Sequence, residues 1–296
     1  MTVVCFRTCQ SFSLSPSRFK TLNVGGTSVT LNMILEVEQK FRIDNYDDDE
    51  IFSRLRTLGF RPEGTAVTFT DWYFDDLSSL ALSLKDCWLR YREMGGHGEW
   101  QLKRGKSLQP GTVDSTSKST VYEEVEGLEA VDIALAVIQS DNNTALRNEG
   151  GGIETEGHGA TMKDFPAPSI PTSQAHSLQP FVRLVTNRAS WILSHAGAHT
   201  ESFATWNDKI RVDLDTTNTQ YAVGEVETVV DSEDQVPEAQ AVVQRVIELL
   251  VGNSENNTSP SPPIGKLEHF LLHFRPNHYQ TLIQSGVLLD AGRVKN

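Results

Sequence analysis

Apolar and polar residues alternate with a period of two along much of the chain, the pattern of half-buried strands. It predicts strands at 35–41, 66–75, 87–93, 99–104, 119–125, 181–193, 209–215 and 221–229. Gly95-Gly96-His97-Gly98 is a turn signal between the third and fourth of these, and Thr216 to Gln220 joins the last two as a second hairpin. The period becomes helical in four places. Asp47 to Glu50 precede Ile51, Phe52, Leu55 and Leu58, with Gly59 as the stop, so acids occupy the first turn where the helix dipole favours them. Leu128, Val131, Ala134, Leu135 and Ile138 form an amphipathic stripe over 127–139, Pro237 opens a helix to about Leu250, and a closing helical segment covers 266–274.

These elements predict a single α+β domain over 32–284, dominated by an antiparallel sheet. The stretch 141–175, rich in Asn, Gly, Thr and Pro, reads as a loop insertion, and 285–296 as a C-terminal tail. Gly150-Gly151-Gly152 is followed by no Gly-Lys-Ser/Thr, so it is not a phosphate-cradling loop. Residues 1–31 hold no Asp or Glu but do hold Arg7, Arg18 and Lys20 among many Ser and Thr, the composition of a disordered tail or an organellar import segment.

Charge changes the picture because it lies inside the strands. Glu36, Glu38 and Lys40 share one face, opposite Leu35, Val37 and Phe41. Arg90 and Arg92 share a face with Trp88; Lys103 stands opposite Trp100 and Leu102; Glu124 lies beside Tyr122. Arg188 shares a face with Thr186 and Ser190, Asp213 and Asp215 oppose Val212 and Leu214, and Glu225 and Glu227 oppose Val226. Such a face looks outward at water, or inward if the sheet closes. Amphipathic helices that could cover the apolar faces, and a near balance of both signs among the ions, favour a closed antiparallel β-barrel with a charged lumen and helices packed outside.

A charged lumen calls for an ionic ligand, because buried charges survive only when paired. Lys40, Arg90, Arg92, Lys103, Arg188 and Lys266 suit a polyphosphate. Glu36, Glu38, Asp213, Asp215, Glu225 and Glu227 would repel it unless a divalent cation lay between, and an all-oxygen set selects Mg2+ or Mn2+ over Zn2+. The pairs His195/His199 and His269/His273 have helical i, i+4 spacing but lack the Glu of a zinc protease motif.

Composition narrows the partners. A net charge of -13 and a pI near 5.1 oppose nonspecific binding to nucleic acid or an anionic membrane. The longest apolar runs, such as 242–251, are far shorter than the roughly 20 residues a spanning helix needs. Cys5, Cys9 and Cys87 form neither a disulfide framework nor a metal-ligand pattern, which favours a reducing compartment such as the cytoplasm; a monomer is the expectation for the chain.

Glu36-Val37-Glu38-Gln39-Lys40 resembles the ExExK signature of the CYTH superfamily, the triphosphate tunnel metalloenzymes. The resemblance extends through Thr68 to Asp75, Trp88-Leu89-Arg90-Tyr91-Arg92-Glu93, Trp100-Gln101-Leu102-Lys103, Arg211-Val212-Asp213-Leu214-Asp215 and Tyr221-Ala222-Val223-Gly224-Glu225-Val226-Glu227. With Val185-Thr186-Asn187-Arg188, Lys266-Leu267 and Phe274-Arg275-Pro276 it is similar to the branch acting on thiamine triphosphate. Two positions depart: Thr70 stands before Asp71, and Glu123 before Glu124, where the branch carries basic residues.

The resemblance implies Mg-dependent hydrolysis of thiamine triphosphate to thiamine diphosphate and phosphate. Lys40, Arg90, Arg92, Lys103, Arg188 and Lys266 would clamp the phosphates, and Glu36, Glu38, Asp213, Glu225 and Glu227, with Asp215, would hold the metal. Lys40 is a candidate general base if neighbouring cations depress its pKa, or else acts purely electrostatically. Trp88 would stack on the thiamine ring or else pack in the core. The rival enzyme reading is a relative acting on inorganic tripolyphosphate or a nucleoside triphosphate; the rival of another class is a non-catalytic binder of phosphorylated ligands.

Overall fold

The computed structural model describes residues 19–24, 27–32, 34–43, 48–106, 119–145, 167–170, 177–194, 203, 205–252 and 263–288. Its first two strands, β1 (Phe19–Val24) and β2 (Thr27–Asn32), pair only with each other as a separate hairpin, a pairing that the tail reading of this segment does not include. There follow β3 (Ile34–Phe41), α1 (Asp48–Thr57), β4 (Phe60–Pro62), β5 (Val67–Asp76), β6 (Cys87–Met94), β7 (His97–Gly105), β8 (Thr120–Glu126) and α2 (Leu128–Ala145). The second half comprises β9 (Leu178–Leu193), β10 (Ile210–Thr217), β11 (Ala222–Val230), α3 (Val236–Val251), α4 (Lys266–Phe274) and α5 (Pro276–Gln284).

Hydrogen bonding runs in the order β10-β11-β3-β8-β7-β6-β5-β9, and β9 pairs back onto β10. Eight strands therefore close into an antiparallel barrel without a free edge. The short β4 extends the far end of β9, pairing Phe60 with Leu193. The glycine turn between β6 and β7 behaves as its sequence predicts, with Gly95 and Gly96 at φ of 60° and 81°.

The outward faces of the strands are apolar and each is covered. Leu35, Val37 and Phe41 of β3 pack with Ile51 and Leu55 of α1 and with Val243, Val246, Ile247 and Leu250 of α3. Leu89, Trp100 and Leu102 pack under Ala130, Val131, Ala134, Leu135 and Ile138 of α2. A third cluster belongs to the inward side, where Tyr73, Val182 and Leu184 share the face of Asp71 by register and pack, with Phe181, against Leu271 of α4 and Tyr279 and Leu282 of α5. Burying these apolar side chains, at about 1.5–3 kcal/mol each, is what makes inward-facing charge affordable.

Three local outcomes differ from the periodicity. The helix expected to end near Gln139 continues to Ala145, because 140–145 contains neither Gly nor Pro to stop it. Strand β9 begins at Leu178 rather than Phe181; Pro180 sits at a register shift where Tyr73 pairs with Val182 but Phe74 with Pro180, and such a bulge tolerates proline. Helix α5 is new, and it starts on Pro276 at the first helical position. Among the described residues no helix is long and apolar enough to cross a membrane.

Candidate active site

Register assembles the charged residues. On one wall Glu225 lies across from Lys40 and Glu227 from Glu38, while the next strand sets Asp213 against Glu225 and Arg211 against Glu227. Arg188 then faces Asp215. On the opposite wall Glu124 faces Lys103, Gln101 faces Arg90, Tyr73 faces Arg90 and Asp71 faces Arg92. The walls meet through the lumen: Lys103 of β7 reaches past β8 to Glu36 at 2.5 Å and Glu38 at 3.3 Å. Lys266 enters on α4 and forms an ion pair with Asp215.

Six carboxylates are predicted as metal ligands, and the structure divides them into two groups. Glu36, Glu38 and Glu227 offer oxygens that lie within 4.8 Å of one another, the one such cluster of metal-ligating side chains among the described residues. Asp213, Asp215 and Glu225 stand outside this cluster, each against a cation, just as Glu36 and Glu38 also meet Lys103. Arg188 makes a bidentate pair with Asp215, 2.7 Å for each bond, and contacts Asp213; Glu225 pairs with Lys40 at 3.2 Å.

Two of the trio hold their protons more tightly than a free carboxylate does. Burial, followed by the Glu225 carboxylate, pushes Glu38 up to about 7. Burial and then Glu36, Asp213 and Glu225 push Glu227 well above the usual carboxylate range. Glu36 is also opposed by burial, but the ammonium of Lys103 outweighs it and holds the group low. Crowded, buried, all-oxygen donors fit a hard divalent cation such as Mg2+ or Mn2+.

All six predicted phosphate-binding cations line this interior. Arg90 donates to Gln101 at 2.9 Å and Glu124 at 3.3 Å, and Arg92 forms a bidentate pair with Asp71 at 2.7 and 2.8 Å. Burial opposes ionisation of Asp71, yet Arg90, Arg92 and Lys266 together hold it down at about 2. Lys40 contacts Glu38 and Glu225. Burial alone would lower its pKa, but those two carboxylates hold it well above the lysine range, the opposite of the depression that a base at neutral pH requires. Lys266 is the lysine pushed down, by burial and by Arg188.

Asp71, Tyr73, Gln101, Tyr122 and Glu124 were not singled out as site residues by the sequence. Asp71 and Tyr73 share the parity of the inward β5 face, a signal hidden because Trp72 and Phe74 on the other face are aromatic like Tyr73. Trp88 is half-buried, donates its indole N–H to Asp86 at 2.7 Å and packs beside the α4–α5 cluster with Leu267. Of the two departures, Glu123 is paired with Lys106 at 2.9 Å and Thr70 lies across from Glu93. The rings of His269 and His273 lie one turn apart at 4.4 Å and tilted by 53°, while Tyr221 stacks on His269 at 4.0 Å. His195 and His199 lie outside the described residues.

A closed antiparallel barrel with an ion-lined interior is what the CYTH resemblance implies. The family model described as CYTH domain matches residues 35–259, and the chain belongs to that family. Among individual proteins, it is 32% identical to thiamine-triphosphatase of Homo sapiens over 251 residues, 85% of this chain and 90% of that protein. The same figures hold for thiamine-triphosphatase of Macaca fascicularis. The solved PH1819 protein of Pyrococcus horikoshii OT3 is 21% identical and covers 73% of this chain and 89% of its own, with a TM-score of 0.39.

Proposed function

We infer that the protein is a divalent-metal-dependent hydrolase that removes the terminal phosphate of thiamine triphosphate, giving thiamine diphosphate and phosphate. The observation that carries this reading is the facing of two sets: the carboxylate trio Glu36, Glu38 and Glu227, and the cations Lys40, Arg90, Arg92, Lys103, Arg188 and Lys266. The names of the human and macaque relatives support thiamine triphosphate as the substrate.

Glu36, Glu38 and Glu227 would hold Mg2+ or Mn2+, with Asp213, Asp215 and Glu225 in reserve beside them. When bound, such an ion neutralises phosphate charge and orients or activates water. The chain's own contribution is electrostatic. Guanidinium forks at Arg90, Arg92 and Arg188 match phosphate oxygens two at a time, and the ammonium groups of Lys40, Lys103 and Lys266 offset the charge that spreads over the transferred group. Lys40, held protonated by Glu225 and Glu38, serves as a cation rather than a base. Trp88 beside the lumen offers a ring face to the organic part of the substrate. The free, buried thiol of Cys87 supports a reducing compartment such as the cytoplasm.

Phosphate release from thiamine triphosphate, inorganic tripolyphosphate and ATP, each with Mg2+ and with chelator, tests the reading. Preference for thiamine triphosphate that disappears with chelator and in Glu36→Gln and Glu38→Gln variants is expected. Preference for tripolyphosphate or ATP would overturn the substrate, and binding without release would overturn catalysis.

A further inference from the structure

Phe69 is buried, with 3% of its surface exposed, yet it belongs to none of the three apolar clusters described above. It lies on β5 two residues before Asp71, on the same face as that inward carboxylate. Its ring instead meets cations. The guanidinium carbon of Arg92 lies 4.1 Å from the ring centroid, that of Arg188 5.3 Å, and the ammonium of Lys266 5.9 Å.

Those three cations arrive from three elements, β6, β9 and α4, and nothing in the strand register makes the third converge on the first two. Like charges brought so close repel. Asp71 and Asp215 offset part of that repulsion, but a carboxylate also competes with an anionic substrate for the same N–H groups. A phenyl face attracts cations through its quadrupole, carries no formal charge and accepts no proton. It can therefore gather cations without neutralising them.

The geometry points to Phe69 as a positioning residue for the phosphate clamp, its ring holding Arg92, Arg188 and Lys266 together so that they meet a triphosphate as one preformed set. This rests on the reading of the lumen as a triphosphate site. It differs from a packing role in depending on the electron density of the ring rather than on its volume.

Successive fluorination of that ring separates the two. The full chain is prepared with 4-fluoro-, 3,5-difluoro- and 3,4,5-trifluorophenylalanine at position 69, beside Phe69→Leu. KM and kcat for thiamine triphosphate and inorganic tripolyphosphate are measured at saturating Mg2+, with thermal unfolding as the check on folding. KM should rise stepwise with each fluorine, by roughly 5- to 30-fold for the trifluoro ring, while kcat stays within about twofold and the unfolding midpoint barely moves. A wild-type protein that turns over neither substrate refutes the functional reading itself. Wild-type turnover with a KM that stays flat across the series refutes the role of Phe69 alone.

Discussion

Removing the charge of Asp71 tests the electrostatics of the lumen most directly. The side chain is 1% exposed and is gripped by Arg92 through two hydrogen bonds, while Arg90 and Lys266 add their fields. Its pKa falls from 3.8 to about 2 on folding. At about 1.36 kcal/mol per unit, that shift corresponds to roughly 2.5 kcal/mol of stability at neutral pH. The folded pKa is depressed, so this stability is present above pH 3.8 and is lost as pH falls through 2; by pH 3 about half of it remains. Asp71→Asn keeps the shape and removes the charge, leaving Arg92 without its anionic partner. Urea denaturation at pH 7 should show a loss of about 2–3 kcal/mol, and the gap between wild type and variant should narrow between pH 5 and pH 3. A loss under about 0.5 kcal/mol, or a gap constant with pH, would refute the assignment of Asp71 as an ion-paired carboxylate and leave only shape.

Two further outcomes follow from groups on either side of the site. Glu38, at about 7, carries a proton part of the time at neutrality, and burial and its carboxylate neighbours push Glu227 in the same direction, so Mg2+ binding should expel protons and tighten as pH rises through 7; calorimetric heats that do not depend on the buffer's ionisation enthalpy would contradict this. Outside the lumen, His278 accepts or donates to Ser83 at 3.0 Å, and Ser83 in turn bonds Asp75, a buried chain that ties α5 to the segment after β5. Burial, aided by Arg275, pushes His278 down to about 4 from 6.5, so the unfolded state binds more protons between these values and stability falls as pH drops through that window. From pH 7 to 4.5 wild type should lose about 2.5 kcal/mol more than His278→Gln, and equal slopes in urea titrations would show that the imidazole is not held neutral.

The primary structure determines which side chains share a face. A period of two places Glu36, Glu38 and Lys40 together, and Arg90 with Arg92, whatever the rest of the chain does, because successive residues of a strand point to opposite sides. It also determines that the opposite faces are apolar, and hence that helices must cover one side. Most strands and four helices were legible for that reason, whereas α5 and the start of β9 were obscured by Pro276 and Pro180, which read as breaks.

Alternation cannot say whether a charged face looks at water or at itself, nor which charges meet. Closure of β9 onto β10 decided the first, by turning one face of eight strands into a lumen. Register decided the second: it set Glu227 beside Glu38 but Glu225 beside Lys40, so one carboxylate joins the clustered trio and its near neighbour lies against a lysine. Lys266 reaches Asp215 from a helix, and Phe69 gathers cations from three elements, contacts between residues remote in sequence. Burial then altered the chemistry of groups whose types were plain from the start. Lys40 reads from the sequence as a base or as a fixed cation, and the neighbours that folding supplies, Glu225 and Glu38, hold its pKa well above the lysine range. Side-chain partnership is a property of three-dimensional distance and dielectric, which the order of residues specifies only through the fold.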